Sequence, residues 1–340
     1  MSRKTAFVGF SYMAGLLLAS FFSAPLSIAI GAVLLGFGLC TVFIFRPKHS
    51  GSFYRSAVCA IACCVGLWLY SGYDMTVCRN ITANIGNFSG TVTIEQSTVY
   101  SEEKAFYITH CTFPNGASGN VGFFDRRSDL VKGDKITLSG QLYAPENTGF
   151  FNSADYYRSM NVFLLMKSVR TSGYEIKEHN FYRTLDDFRH NVSDTIRKYV
   201  PSEEGELLIG MLFGSSKWNM SDRTENLLYR AGIGHVAAVS GLHMSVAAGI
   251  AAALAIALRL PKWGQFISVT AVSLLFAMTA GFTPSVVRSL IMVMFVWAAG
   301  IFNRRSDSLT SLAAAIIIMT ISSPFIVRST SFLLSVSGTI

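Results

Sequence analysis

The chain has 340 residues, 51% of them apolar and 14% charged, with a formal net charge of +8 and a mean hydropathy of +0.42. A soluble domain carries about 25% charged residues, so disordered, collagenous and coiled-coil classes are excluded, and six cysteines are too sparse for a disulfide-stapled scaffold. The composition is that of an integral membrane protein.

A membrane-spanning helix needs about 20 mostly apolar residues. Three such stretches open the chain, at 6–22, 25–45 and 56–73. Arg3 and Lys4 precede the first, and Arg46, Lys48 and Arg55 separate the second from the third. The turn Ser23-Ala24-Pro25 between the first two carries no charge. Lys and Arg collect on the cytoplasmic side, so the N-terminus and the 46–55 loop are expected inside. The second span follows the first almost at once, which reads as a helical hairpin rather than a cleaved signal peptide.

The third helix then exits outward, and residues 74–204 are expected outside the membrane. This polar segment holds 14 of the 28 Lys and Arg and 16 of the 20 Asp and Glu, a net of −2. The remainder is strongly basic, so the overall positive charge belongs to the short loops of the membrane part. Thr91–Tyr100 alternates and is rich in β-branched residues. Ala105–Phe113 follows a polar turn as a hairpin partner would, and Lys132-Gly-Asp-Lys135 is a turn before a strand at 136–143. Five or so short strands with a helix near 152–160 predict a small extracytoplasmic β-barrel, OB-like, over 74–180. Cys78 and Cys111 are the only cysteines in the outer segment. An extracytoplasmic compartment permits oxidation, so they are expected to form a disulfide. Residues 181–204 form an amphipathic connection: Phe181, Leu185, Phe188, Val192 and Ile196 fall on one face of a helix over 181–199.

The second apolar block fills 205–340. Residues 205–217 are apolar but too short to span, and a re-entrant or interfacial helix is expected. Spans are predicted at 235–258, 264–282, 285–302 and 308–323, with a further one at 325–340. Arg259 and Lys262 lie in one loop and Arg304 and Arg305 in another. Starting from outside, both fall in the cytoplasm, so the two blocks agree on one orientation.

Polar groups inside a span are costly and mark function or packing. His235, Ser240, His243 and Ser245 sit in small, apolar sequence, with Gly232, Gly234 and Gly241 permitting close backbone approach. Two histidines eight residues apart, with no acid or cysteine nearby, make a poor metal set, and no metal or cofactor is expected. Ser240 and His243 lack an orienting carboxylate in sequence reach, so a nucleophile pair is not supported and no catalytic residue is assigned. Tight helix packing and a polar, pore-facing stretch both fit. Arg288 lies one turn inside a span that opens at Pro284. It either snorkels to the headgroups or lines a cavity.

The stretch Leu228-Tyr-Arg-Ala-Gly-Ile-Gly-His-Val-Ala-Ala-Val-Ser-Gly-Leu-His-Met244 resembles the signature of the ComEC/Rec2 competence family. So do Gly210–Gly214, Gly281–Met292 and Asn303–Leu312. Ser323-Pro-Phe325 and Ser331–Ser335 look like later elements of that family. Gly149-Phe-Phe-Asn-Ser-Ala-Asp-Tyr-Tyr-Arg158 looks like the segment that closes its extracellular domain. The resemblance covers about 80–340.

It implies a multi-pass inner-membrane protein that passes one DNA strand into the cytoplasm during natural transformation, with DNA, the lipid bilayer and other competence proteins as partners. His235, Ser240, His243 and Arg288 are then expected to line the DNA path. Phe150, Phe151, Tyr156 and Tyr157 either stack on bases or belong to a core. Many members carry a metallo-β-lactamase-like domain. No His-x-His-x-Asp-His run occurs here, so no enzyme activity is expected, and the family's membrane domain is expected to be incomplete at Ile340. A small-solute transporter or an inactive membrane fragment are the rival readings. Few acids in the predicted spans argue against a cation-coupled carrier.

Overall fold

The computed structural model describes residues 4–44, 51–101, 104–127, 129–147, 152–177, 180–214, 221–232, 240–304 and 306–339. They fall into two compact units. The first comprises Met1–Ala83, Glu146–Asn161 and Ile291–Ile340; the second comprises Asn84–Pro145 and Val162–Leu290.

In the first unit, α1 (Lys4–Phe21), α2 (Ala24–Ile44) and α3 (Gly51–Tyr73) are the three expected helices. α3 does not stop where expected. It runs on through a π-helical turn, Asp74–Cys78, into α4 (Arg79–Thr82), giving a continuous helix Arg55–Thr82. Residues 74–82 contain neither Gly nor Pro, so nothing local ends it, and the Thr76 hydroxyl donates back to Gly72 O at 2.6 Å. α1 and α3 pack through small residues. A methyl at Gly15 would lie 2.0 Å from Cys63 O, and one at Gly66 would lie 2.3 Å from Tyr12 O. Small residues at these positions permit the close backbone approach by which apolar helices pack. α2 is tied to α3 by Trp68 Nε1 donating to Ile28 O at 3.2 Å and Cys64 Sγ to Gly31 O at 3.0 Å.

The second unit is built on a closed five-stranded barrel: β1 (Gly86–Ser101), β2 (Lys104–Thr112), β3 (Ser118–Asp125), β4 (Lys135–Tyr143) and β5 (Val162–Glu175). Strand order around the barrel is β1-β2-β3-β5-β4. Only the β3–β5 pair is parallel; the others are antiparallel. Ile94, Tyr107, Phe123, Ile136, Leu138 and Leu142 fill the interior. The turn at 131–134 centres on Asp134, whose side chain is fully buried. Its carboxylate accepts from Val131 N (3.0 Å), Lys177 N (3.2 Å) and Arg183 Nη2 (2.8 Å).

The insert between β4 and β5 forms α5 (Ser153–Ser159), capped by Asn152. It belongs to the first unit, although the barrel strands on either side belong to the second. α6 (Phe181–Tyr199) has the expected bounds. It ties three elements of the second unit together. Arg183 holds Asp134 of the barrel, and Arg197 holds Glu206 of α7 (Glu203–Phe213) through Nε at 2.7 Å and Nη2 at 3.3 Å. Arg189 Nη2 donates to Met278 O at 2.5 Å, near the end of α10 (Lys262–Ala280). A cation at a helix C-terminus opposes the negative end of the dipole. Burial pulls the Arg189 guanidinium below its usual range, against the opposing pull of Asp186. α8 (Asp222–Arg230) is short and polar.

The remaining helices are α9 (Gly241–Ala257), α10 (Lys262–Ala280), α11 (Pro284–Ile301), α12 (Ser308–Ser322) and α13 (Thr330–Ser337). In the second unit, α9 buries Ala248, Ala251, Ala252 and Ala255, and α10 buries Val269, Ser273 and Ala277. These are small-residue faces of the kind that pack closely in membranes. Among the described residues, Arg55–Thr82, Lys262–Ala280 and Pro284–Ile301 are long and apolar enough to cross a membrane; α1, α2, α9 and α12 are shorter apolar helices.

One expectation is corrected. The stretch 325–340 is not one span. Pro324–Arg328 forms a 3-10 turn, Ser329 is extended, and only Thr330–Ser337 is helical. Within the first unit, Phe325 of that turn is buried against Tyr70 and Tyr73 with ring centroids at 4.9 and 5.7 Å, and Arg328 pairs with Asp155. A buried aromatic and a paired cation override the apolar run. Cys78 and Cys111, expected to pair, lie in different units. Both are free, buried thiols. Cys78 lies in the π-helical turn of the first unit, and Cys111 is enclosed in the barrel with its sulfur 3.7 Å from Thr109 Oγ1.

Candidate membrane-path site at the start of α9

The Ser-Gly-Leu-His stretch opens α9. Ser240 is the N-cap, in extended conformation (φ −122°, ψ 170°), and His243 is the third helical residue. His243 Nδ1 accepts from Ser240 N at 3.2 Å and lies 3.1 Å from Ser240 Oγ. This is a capping box with histidine in the place usually held by Glu or Gln. The accepting Nδ1 leaves the proton on Nε2, which becomes the ring's donor to the surroundings. The Ser–His pair thus caps the helix. Of the span expected at 235–258, residues 235–239 lie outside the described residues and Gly241–Ala257 is helical.

Gly241 explains the approach of α11. A methyl there would stand 2.5 Å from Ser289 Oγ and 3.3 Å from Arg288 Nη2. Only glycine lets the two side chains close on the first turn of α9. Arg288 is 7% exposed, and Ser289 and Val286 are buried beside it. Ser289 Oγ donates to Ser285 O at 2.9 Å, which turns the hydroxyl back along its own helix.

The structure therefore brings Ser240, His243 and Arg288 into one neighbourhood. His235 lies outside the described residues, as do Phe150 and Phe151. Tyr156 and Tyr157 are on α5 in the first unit. Their rings meet edge to face at 5.3 Å, and neither is buried. They are not core residues, and they do not belong to the unit that holds Arg288.

Ser289 is the neighbour that sequence reasoning missed. Its spacing from Ser285 was legible, but nothing in sequence says that it faces Gly241. Arg189 leaves no signal in the sequence beyond one charge on an amphipathic helix, because its partner is a backbone carbonyl far along the chain.

Electrostatically the site is lopsided. The first-turn N–H groups give a helix N-terminus partial positive charge, and a buried guanidinium lies beside it. Two positive ends in a low-dielectric setting attract an anion strongly.

The fold and site define a protein with a small closed barrel and helices apolar enough to cross a membrane, with a cation held at one helix start. Residues 211–340 match the family model described as Competence protein, which contains this whole site. That match is consistent with a ComEC/Rec2-type competence protein. No curated protein and no solved structure matches the chain.

Proposed function

We propose that this chain is a component of a cell-membrane channel that takes up single-stranded DNA during natural transformation. The observation that carries the reading is the buried Arg288 beside the N-terminus of α9. A cation there is opposed by the helix dipole and is favoured when an anion bridges the two. Phosphates arriving in sequence along a strand supply that anion repeatedly. His243 and Ser240 add hydrogen-bonding capacity without a second fixed charge. The role assigned to the chain is passage, not cleavage.

The barrel is read as OB-type. Its strand order with β3 parallel to β5 supports this, since that family of small Greek-key barrels binds oligonucleotides and oligosaccharides. Orientation follows the Lys and Arg asymmetry: N-terminus and 303–307 inside, 74–204 outside. The partners are DNA, the bilayer and other competence-machinery chains. The small-solute carrier reading is weakened by the helices themselves, because α1, α2, α9, α10, α11 and α12 contain no Asp or Glu to couple a cation.

Transformation frequency in the native cell tests the reading. Arg288→Ala should abolish uptake of labelled DNA while membrane levels stay normal, with Arg288→Lys retaining part of it. Normal transformation by both variants would remove Arg288 from the path. Loss of the protein from the membrane in both would assign the cluster to packing. A cysteine at Ser306 in a cysteine-free background should resist impermeant maleimide applied from outside; labelling there overturns the orientation.

A further inference from the structure

We propose that the outer face of β1, β4 and β5 is a saccharide-binding groove, one that takes a neutral or N-acetylated oligosaccharide. The strand register places Asn87 opposite Gln141 and Ser89 opposite Ser139. On its other side β4 sets Gln141 against Lys167 and Ser139 against Arg170. Alternation along each strand then aligns amides and hydroxyls in rows across three strands. Asn87, Ser89, Gln141, Ser168 and Arg170 are exposed. One row further on, Thr91 and Thr137 satisfy each other at 2.9 Å, and the pattern closes.

These rows line a groove of about 480 Å³, with Phe88 at its edge. That volume is in the range of small-ligand sites. The groove is shaped by a bulge. Between Arg170 and Lys167, β5 spends two residues against Gly140 of β4. One of them, Ser168, is held at φ 54°, a left-handed conformation that is uncommon for a non-glycine residue. Bulges of this kind re-aim side chains next to binding sites, and such strain clusters at ligand clamps.

The chemistry selects the ligand. Five uncharged hydrogen-bonding side chains and one arginine line the groove, with no carboxylate. A nucleic acid strand calls for several cations tracking its phosphates. The neighbouring cation, Lys167, lies 5.6 Å from the centre of the Tyr143 ring. The outer segment as a whole has a net of −2. A ligand that offers hydroxyls and amides fits where a polyanion does not. The proposal is independent of the DNA reading, since it uses none of the residues around Arg288.

The test is calorimetric titration of the full chain in lipid nanodiscs, free of sugar-based detergent, with N,N′,N″-triacetylchitotriose. Saturable binding is expected, weakened at least about tenfold by the pair Asn87→Ala and Gln141→Ala, with an unchanged melting midpoint. Thr91→Ala should leave affinity as it was. No saturable heat at millimolar sugar overturns the proposal, and so does binding that the paired variant does not weaken. A ten-residue oligothymidine that binds and is lost on Arg170→Gln would assign the groove to nucleic acid instead.

Discussion

Arg328 Nη1 lies 2.7 Å from Asp155 Oδ1, joining the 3-10 turn after α12 to the helix inserted between β4 and β5. The pair is mostly shielded, with side chains 30% and 13% exposed. It is reinforced nearby by Ser323 Oγ donating to Asn161 Oδ1 at 2.8 Å. Two segments far apart in sequence are thereby fixed in the first unit, at the place where a continuous span was expected.

Reversing one charge of that pair should destabilise the protein. Asp155→Arg is expected to lower stability by about 2 to 3 kcal/mol, between the values for exposed and buried pairs. Asp155→Arg with Arg328→Asp should recover part of the loss. Denaturation midpoints of the single and double variants measure the coupling. Strict additivity would mean that the two side chains do not interact.

At Gly241 the usual helix rule should invert. Alanine in place of glycine favours a helix by about 1 kcal/mol. Here the new methyl would stand 2.5 Å from Ser289 Oγ, so Gly241→Ala is expected to destabilise and to impair transformation. Ser289→Ala removes that oxygen, and the nearest remaining atom of residue 289 is at 3.6 Å. The double variant should therefore recover stability relative to Gly241→Ala alone. Thermal melts and transformation frequencies report the two effects separately.

All six cysteines are free thiols. Protein denatured without reductant should titrate six thiols. A count of four would restore a bridge.

Alkaline pH should weaken the barrel. Burial pushes the Cys111 thiol up from 9.0 to about 11, and burial also raises the Tyr107 phenol. Both groups hold their protons longer in the folded state than in the unfolded one. Stability is therefore complete below about pH 9 and falls as pH rises toward 11, by up to about 1.4 kcal/mol per unit for the thiol. Cys111→Ala should flatten the slope of the melting temperature between pH 9 and 10.

Removing the Asp134 carboxylate strands its partners. Asp134→Ala leaves Val131 N and Lys177 N without their acceptor and Arg183 without its counter-charge. A loss of about 3 to 5 kcal/mol is expected. Asp134→Asn keeps an acceptor for one of the two backbone groups, which bond to different carboxylate oxygens, and should lose less. Urea unfolding of the two variants measures what the one remaining acceptor recovers.

Sequence by itself determined what depends on local period and composition. The apolar runs place α1, α2, α10, α11 and α12 within a few residues, because an α-helix satisfies its own backbone whatever its neighbours are. The 3.6-residue spacing placed α6, and the turn chemistry of Lys132-Gly-Asp-Lys135 placed the start of β4. The strands at 118–125 and 162–175 were less legible. β5 opens with five consecutive buried residues, Val162–Met166, where it runs parallel to β3, and such a run has no alternation to read.

Tertiary structure alone decided the rest. Whether Cys78 and Cys111 pair depends on distance, not on count. Whether 325–340 spans depends on Asp155 and on Tyr70 and Tyr73. That Ser240 and His243 form a cap depends on the backbone angle at Ser240. Arg288 reaches α9 only because a hydrogen atom stands at Gly241 where any other residue would place a carbon. Each is fixed by contacts between residues distant in sequence or by a single backbone conformation, and neither leaves a period in the chain to be read.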